Sequence, residues 1–262
     1  MRTKRNEEKQ YSIEALDRGL RLLQLFLYEK RELTLSQIAS ALGEYKSTVL
    51  RTLSTLEARG FVERNTENER YWLGPKTFAL GMLYSSGMRI KKLARPFCES
   101  LANEFRETVH LAVLNRAKLD EGKVLVIDKI ETSQVLRLSP DIGSDADAHA
   151  SAVGKVLLAS LTDEEVSRIL ARSELRRYTP KTICTLKDLL RELQEVRRQG
   201  YAVDNEELEV GLTCVAAPIV GPTGHTVAAV SLSGPSPRLA PILSSVPKSV
   251  MQCARRISDQ MA

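Results

Sequence analysis

The feature that most constrains this fold is a change in the period of the hydrophobic residues near Gly60. Before it, apolar residues recur every three or four positions, which is typical of helices, and after it they alternate, which is typical of strands. The pattern predicts helices over about 13–28, 35–42 and 46–59, followed by short strands at Phe61–Arg64 and Arg70–Leu73. Three helices followed by a hairpin are the element order of a winged helix.

Local signals support these boundaries. Thr34 stands three residues before Gln37, which predicts a capping box at the start of the second helix. Gly43 suits the positive φ of a tight turn, and Gly60 suits the end of a helix. The first helix is expected to bury one stripe, made of Leu16, Leu20, Leu23 and Phe26 or Leu27.

The third helix is predicted to be the reading helix of a helix-turn-helix, whose N-terminal end enters the major groove of double-stranded DNA. Arg51 can bind guanine edges bidentately, and polar side chains before it can bind phosphate or base edges. Two arginines flank the predicted wing and could enter a minor groove or grip phosphate. The candidate DNA-binding residues are Tyr45, Lys46, Ser47, Thr48, Arg51, Arg64 and Arg70. The alternative is a structural three-helix domain with a solvated basic face.

Charge is distributed unevenly along the chain. Residues 1–95 hold 18 basic and 11 acidic side chains, a balance of +7, whereas residues 96–262 hold 20 and 22, a balance of −2. A basic first third indicates a module that binds a polyanion, joined to a second module. No run approaches the ~18 consecutive apolar residues of a membrane span, so no membrane partner is predicted. The scattered Cys98, Cys184, Cys214 and Cys253 predict no metal site and no disulfide, and we expect reduced thiols in the cytoplasm.

Beyond the winged helix, the pattern mixes helices and strands and predicts one α+β domain with a mostly antiparallel sheet. Ala94-Arg95-Pro96 is expected to allow a kink or the start of a new helix. The expected organisation is residues 1–74 for DNA binding, 75–90 as a linker and dimerisation helix, and 91–262 for the second domain. Its strands are expected at Val109–Leu114, Val124–Ile130, Val135–Leu138, Tyr201–Val203, Val215–Val220 and Val227–Leu232, with a last helix over about 242–261.

Several long segments carry a family resemblance. They include LTLSQIASALGEYKSTVLRTLSTLEARGFV, HASAVGKVLLA, ELQEVRRQGYAVDNEELEVGLTCVAAPIV and VAAVSLSGPSPRL. Over nearly its whole length, the chain resembles the IclR family of bacterial transcriptional regulators. The resemblance implies a winged helix-turn-helix, a dimerising linker helix and a GAF-like α+β effector-binding domain. It also implies a homodimer or a dimer of dimers that represses or activates promoters in response to small metabolites, often carboxylates or aromatic acids.

The resemblance further implies an effector site made of backbone amides of Ala152 and Val153 and side chains of Asp204, Cys214, Ser231 and Ser233. Amides at a helix start favour an anion, and alternate serines on a strand can share a face. The alternatives are a simple helix cap, a core cysteine and an aspartate that caps a turn. The nearby loop is acidic, with Asp145 where arginine is frequent and Asp147 where proline is frequent. Together with Asp204, these carboxylates indicate either hydroxyl or amine donors on the other end of the ligand, or a ligand that is not strongly anionic.

The sequence therefore predicts a ligand-responsive DNA-binding regulator, a repressor by family habit, whose effector is a small hydroxylated or keto carboxylate. No cofactor is predicted. The alternatives are an activator of the same family, a ligand sensor that acts by protein contact, and an enzyme. An enzyme would need Cys214 as nucleophile, Asp204 as orienter and one of three histidines as base: His110, His149 or His225. No nucleophile elbow, phosphate loop or HExxH motif supports an enzyme.

Overall fold

The computed structural model describes residues 13–131, 140–171 and 173–261. The chain divides into two compact units between Gly87 and Met88, and each unit has its own hydrophobic core. The predicted strand at Val135–Leu138 lies outside the described residues. The finer division at residues 74 and 90 stays a prediction.

The first unit has the predicted order of elements. Its helices are α1 (Glu14–Glu29), α2 (Leu35–Leu42), α3 (Lys46–Ala58) and α4 (Pro75–Gly87), and its strands are β1 (Leu33–Thr34), β2 (Val62–Asn65) and β3 (Arg70–Leu73). The strands form an antiparallel sheet in the order β1-β3-β2. The capping box of Thr34 and Gln37 is present, and Gly43 and Gly60 both have positive φ. The winged helix is therefore confirmed by its local geometry.

The buried face of α1 differs from the predicted stripe. Leu22 and Phe26 are buried, together with Gly19, whereas Leu16 and Leu20 are more than half exposed. Leu27 is exposed as well, so of the predicted stripe only Phe26 is fully buried. The helix carries two adjacent apolar faces, and the sequence does not show which one meets the core. The prediction was therefore right for Phe26 and for Leu23, which packs partly buried against the core, and wrong for Leu16, Leu20 and Leu27, which lie on the outer face.

The second unit contains a six-stranded sheet between two groups of helices. Its strands are β4 (Thr108–Leu114), β5 (Lys123–Ile130), β6 (Asp145–Asp147), β7 (Ala202–Asn205), β8 (Leu212–Val220) and β9 (Thr226–Pro235). Its helices are α5 (Arg89–Phe105), α6 (Ala152–Ala159), α7 (Asp163–Leu170), α8 (Leu186–Gln199), α9 (Ser236–Leu239) and α10 (Val246–Asp259). The strand order is β6-β5-β4-β9-β8-β7, and every neighbouring pair is antiparallel. The predicted α+β architecture is confirmed.

The two faces of this sheet have different partners. One face packs against α5 and α10 through a large aliphatic core that includes Leu111, Val215 and Val230. The other face carries small residues, Ala112, Ala216 and Ala229, and packs against α6, which is itself packed on α8. Small side chains bring α6 close to the strands, so its first turn lies near the polar residues of the same face.

The new helix start that was one alternative at Pro96 and the predicted start of the last helix were both wrong. Helix α5 runs through Pro96 without a new start, although proline removes one backbone donor from it. The last helix begins at Val246 rather than near 242, because a short 3₁₀ turn at Ala240–Ile242 precedes it. Among the described residues, no helix is both long and apolar enough to cross a membrane.

Candidate DNA-reading helix and ligand site

The start of α3 presents polar and basic side chains to solvent. Tyr45, at the N-cap, is 83% exposed, and Lys46, Ser47 and Arg51 are exposed as well. Thr48 is half-buried, and its carbonyl accepts a bond from the Thr52 hydroxyl at 3.1 Å. No acidic residue lies in the first turn, so the positive end of the helix dipole and Lys46 act in the same direction. The end of α3 that was predicted to enter DNA is thus free and electropositive.

The two arginines beside the wing are already engaged. Arg64 pairs with Glu69 and lies over the ring of Tyr71, 5.9 Å from its centroid. Arg70 is half-buried and donates to the carbonyl of Glu32 at 3.3 Å. These two side chains therefore offer less to DNA than the free side chains at the start of α3.

An apolar cavity of about 570 Å³ lies between α1 and α3. Leu16, Leu20 and Leu23 line it from α1, and Leu56 and Phe61 line it from the other side. The outer face of α1 is therefore an unfilled apolar surface of the first unit.

Four of the predicted effector residues meet on one face of the large sheet. Asp204 pairs in register with Cys214, which pairs with Ser233, while Ser231 lies opposite Ala216 and His110. Asp204, Ser231 and Ser233 are buried, and Cys214 is half-buried. The strand pairing thus brings together side chains that are far apart in sequence.

The start of α6 supplies the remaining two predicted residues, Ala152 and Val153. Ser151 caps this helix by accepting from the Gly154 amide at 3.3 Å and donates to the Asp147 carbonyl at 2.9 Å. The amides of Ala152 and Val153 have no carbonyl partner within the helix, as expected for a first turn. Gly154 lies directly on the backbone of Ala148, where a Cβ would come within 2.2 Å of its Cα. This contact fixes the position of the first turn of α6.

A buried lysine connects α6 to the turn after β7. Lys155 is fully buried, and its Nζ donates to the Val203 carbonyl at 2.5 Å, to Glu207 at 2.7 Å and to Glu192 at 3.2 Å. The Glu207 amide in turn donates to Oδ1 of Asp204 at 2.7 Å. Asp204 therefore does cap a turn, as the simpler interpretation of the sequence proposed, but this uses only one of its oxygens.

The second carboxyl oxygen of Asp204 is in an unusual environment. Within the described ranges, Oδ2 of Asp204 is buried and has no hydrogen-bond partner. Burial raises the pKa of Asp204 to about 7; the amide of Glu207 opposes this rise, and the charge of Glu207 adds to it. The carboxyl can thus either donate or accept a hydrogen bond near neutral pH.

The electrostatics do not favour Cys214 as a nucleophile. Burial, assisted by the charge of Asp204, raises the pKa of its thiol above the ordinary value. Burial and Lys129 lower the pKa of His110 to about 4, so the imidazole is a weak base. His149 is engaged elsewhere, with Nε2 at 3.0 Å from the Arg176 carbonyl. A protonated thiol without an activating base suits a binding site better than covalent catalysis.

The acidic loop does not present its charge to a ligand as the sequence suggested. Asp145 binds Lys118 at 2.6 Å and Asn115 at 2.7 Å. Asp147 binds Lys123 at 2.8 Å and the hydroxyl of Tyr178. Both carboxylates are therefore neutralised within the fold, and the inference drawn from their charge was wrong. The sequence separations of 24 to 31 residues hid these partners.

Sequence reasoning missed three residues of this region. Lys155 and Glu207 were given no role, although both lie in segments that carry the family resemblance, and His110 was considered only as a catalytic base. The hydrophobic patterning around Lys155 predicts a helix that is buried throughout, which could have indicated a buried charge in need of partners. Nothing in the sequence places His110 beside Ser233, because that contact depends on strand register.

Comparison with known protein families matches both units. Residues 15–66 match the IclR helix-turn-helix domain, and residues 82–259 match the C-terminal domain of the bacterial transcriptional regulator IclR. The chain is 36% identical over 251 residues to the HTH-type transcriptional regulator BhcR of Paracoccus denitrificans, covering 95% of this chain and 88% of that protein. It is 32% identical over 227 residues to the transcriptional repressor IclR of Escherichia coli, covering 87% and 82%.

A solved structure supports the same relationship. An IclR homologue from Microbacterium hydrocarbonoxydans, complexed with 4-hydroxybenzoate, superposes with a TM-score of 0.82 at 25% identity, covering 94% of this chain and 98% of that one. Proteins of this kind are DNA-binding regulators rather than enzymes, in agreement with the free start of α3 and the protonated state of Cys214. The chain belongs to the IclR family of bacterial transcriptional regulators.

Proposed function

We propose that this regulator is a repressor whose operator binding is modulated by a small carboxylate bound in the second unit. One observation carries the proposal: the chain that bears an exposed, electropositive reading helix also bears, in its second unit, buried polar atoms that have no hydrogen-bond partner among the described residues. Because the proposed partner is chromosomal DNA, the protein is proposed to act in the cytoplasm.

The first unit is proposed to read DNA mainly through Lys46, Ser47, Thr48 and Arg51, with Tyr45 beside them. Arg51 is exposed one turn into α3, where a guanidinium can reach a base edge. Lys46 at the first helical position suits a phosphate. Arg64 and Arg70 are assigned a lesser, backbone-gripping role because each already has an intramolecular partner.

Arg51→Ala should weaken binding to the preferred genomic site by about 1–3 kcal/mol and relax its specificity. Lys46→Ala should weaken binding to all DNA similarly and reduce the salt slope by about 1. Arg59→Ala, which removes an exposed charge from the opposite end of α3, is the matched control. The preferred site is identified from the genomic fragments that the protein retains. Titrations of DNA at several salt concentrations then give the binding free energy and its dependence on salt. Unchanged discrimination in Arg51→Ala would refute the assignment.

The second unit is proposed to hold the effector between the amides of Ala152 and Val153 and the polar row of Asp204, Cys214, Ser231 and Ser233. The amides suit the acid group, since the first turn of a helix favours an anion. The serine hydroxyls and the carboxyl of Asp204 suit hydroxyl or keto oxygens. The bound 4-hydroxybenzoate of the Microbacterium homologue, a monocarboxylate with one hydroxyl, has this chemistry.

Replacing Ser231 and Ser233 together by alanine should raise the effector concentration needed for release from DNA by about 5–150-fold. Each hydroxyl contributes about 0.5–1.5 kcal/mol net, and the two small side chains leave little space behind. DNA affinity without effector should stay the same. Titration of the protein–DNA complex with the inducing metabolite measures the midpoint, which is the effector concentration that releases half of the DNA. An unchanged midpoint would show that the serines do not belong to the effector site. Loss of DNA binding without effector would show that they have a structural role.

A homodimer, alone or paired into a dimer of dimers, is proposed as the DNA-binding form. Helix α4 has no buried residue, and Phe78 and Leu83 are each 71% exposed. Together with Leu16 and Leu20 on α1 they form more exposed apolar surface than one such unit needs. A second copy is the natural partner, since paired reading helices match a two-fold-related operator.

The double variant Phe78→Glu and Leu83→Glu should sediment as a smaller species than the wild type at micromolar concentration. It should also lose tight binding to the two-fold site, because one winged helix makes too few contacts. Ile142→Glu, at an exposed apolar position of the second unit, is the control and should change neither property. A wild-type monomer that protects a single half-site would contradict the dimer.

A further inference from the structure

The second unit buries a histidine that neither its core nor its ion pairs explain. His110 of β4 is 2% exposed, and in the part of the chain that the structure describes its Nε2 has no hydrogen-bond partner. Buried nitrogen atoms without partners are rare in folded proteins because they lose their hydrogen bonds to water. Such an atom at the edge of a proposed ligand site points to a bound molecule as its partner.

The position of His110 ties it to the polar row. Its residue pairs in register with Ser231, and its Nδ1 lies 3.4 Å from Oγ of Ser233. Ser233 pairs in turn with Cys214, which pairs with Asp204. The imidazole therefore extends the row onto a fourth strand, at the end opposite to Asp204.

The ring is neutral at physiological pH. Burial, assisted by the charge of Lys129, lowers the pKa of His110 to about 4. Hydrogen bonding to the nearby backbone carbonyl of Pro140 and the charge of Glu131 oppose this shift. A neutral imidazole has one donor and one acceptor nitrogen. Because the Ser233 hydroxyl can serve Nδ1 in either sense, Nε2 can donate to a keto oxygen or accept from a hydroxyl.

The same environment is unfavourable for a second acid group. The neutral ring offers no positive charge, and Lys155 already binds two carboxylates and a carbonyl. Asp204 adds negative character at the other end of the row. Lys129, which pairs in register with His110 on β5, is already bound to Glu131 at 2.9 Å and to Asp141 at 3.6 Å. A second carboxylate placed here would therefore find no uncommitted counter-charge among the described residues, which is strongly unfavourable.

We propose that His110 is a specificity-determining residue of the effector site, whose Nε2 binds the hydroxyl or keto oxygen of a monocarboxylate and discriminates against dicarboxylates. The inference rests on the proposed function of the second unit and extends its residue set. The acid group of the ligand lies at the amides of Ala152 and Val153, and its neutral oxygen lies at His110 and the serines.

The test is side-chain nitrogen NMR on the full-length protein, which contains three histidines. Two matched pairs of probes differ only in the second polar group: 4-hydroxybenzoate against terephthalate, and glycolate against malonate. We expect the hydroxylated monocarboxylates to shift the Nε2 resonance of His110 while the ring stays neutral. The dicarboxylates at equal concentration should not shift it. His110→Asn identifies the resonance, and His225→Asn, in an exposed turn, is the control.

Binding by calorimetry gives a second, independent readout. His110→Leu should weaken the hydroxylated probe by about tenfold or more, and His110→Asn, which keeps a donor and an acceptor, should restore part of the loss. Any one of three outcomes would overturn the inference. The Nε2 resonance of His110 does not shift with any probe, it shifts equally with the dicarboxylates, or a folded His110→Leu variant binds the hydroxylated probe with unchanged affinity. The wild-type resonances decide the question if His110→Leu does not fold.

DNA retention measured on the same wild-type samples separates this inference from the proposed function. If genomic DNA is retained while His110 stays silent, only the role of His110 is lost. If DNA is not retained while His110 responds to the monocarboxylates, the proposed repressor is wrong and the specificity assignment stands.

Discussion

Lys155→Met should lower the free energy of unfolding by about 3–5 kcal/mol, the cost of leaving a buried charge without its partner. The ammonium group is fully buried and holds Glu207, Glu192 and the carbonyl of Val203. Methionine fills a similar volume but satisfies none of these groups. The carboxylate of Glu207, whose side chain is only 10% exposed, then has no counter-charge.

The measurement is urea unfolding followed by circular dichroism. Trp72, the only tryptophan of the chain, reports separately on the first unit, and its transition should keep its midpoint. Combining Lys155→Met with Glu207→Gln should recover much of the loss because it removes the uncompensated charge. Lys181→Met, which breaks an exposed pair with Glu206, is the matched control and should have a much smaller effect. Equal losses of unfolding free energy in Lys155→Met and Lys181→Met would show that burial of the lysine does not determine the effect.

Asp204→Asn should stabilise the folded protein above neutral pH, by on the order of 4 kcal/mol at pH 8 relative to its effect near pH 4. In the unfolded chain Asp204 ionises near its ordinary pKa of 3.8, whereas burial raises its pKa in the fold to about 7. Between these two values the folded protein binds the additional proton, so its stability falls as pH rises. Well below pH 3.8 both states are protonated and the penalty is absent.

The test compares the unfolding free energies of wild type and Asp204→Asn at pH 4 and pH 8, so that the titration of other groups cancels. The groups that face Asp204 are Glu207, Lys155 and Cys214, and all three are retained. Asp163→Asn provides a control of opposite sign, since Arg197 holds the pKa of that carboxyl below its ordinary value. A difference between wild type and Asp204→Asn that does not change with pH would contradict the raised pKa.

Both predictions concern charged groups that are buried beside the proposed effector site at a cost in stability. The protein holds a buried carboxyl with one oxygen that has no partner among the described residues, although the ionised form of this carboxyl lowers the stability of the fold. Binding sites retain such groups because a ligand can supply the missing hydrogen bond. We therefore expect Asp204→Asn to combine higher stability at pH 8 with a weaker response to the effector.

Much of the first unit could be predicted from sequence because its signals are local. The capping box of Thr34 and Gln37 spans four residues, and the glycines at 43 and 60 mark turns that need positive φ. Val49 and Leu53 repeat on one face of α3, which fixes Lys46 and Arg51 on the outer side. The buried face of α1 could not be predicted, because Leu20 and Leu22 are equally apolar and only packing separates them.

In the second unit the sequence by itself determined the helices, most of the strands and, through the family resemblance, the residues of the candidate effector site. Tertiary structure alone decided how those residues act. Ser233 meets His110 across 123 positions, and Lys155 meets Glu207 across 52. The charges of Asp145 and Asp147 are cancelled by lysines from other segments. Contacts of this kind depend on strand register and on burial, and a pattern of neighbouring residues carries information on neither.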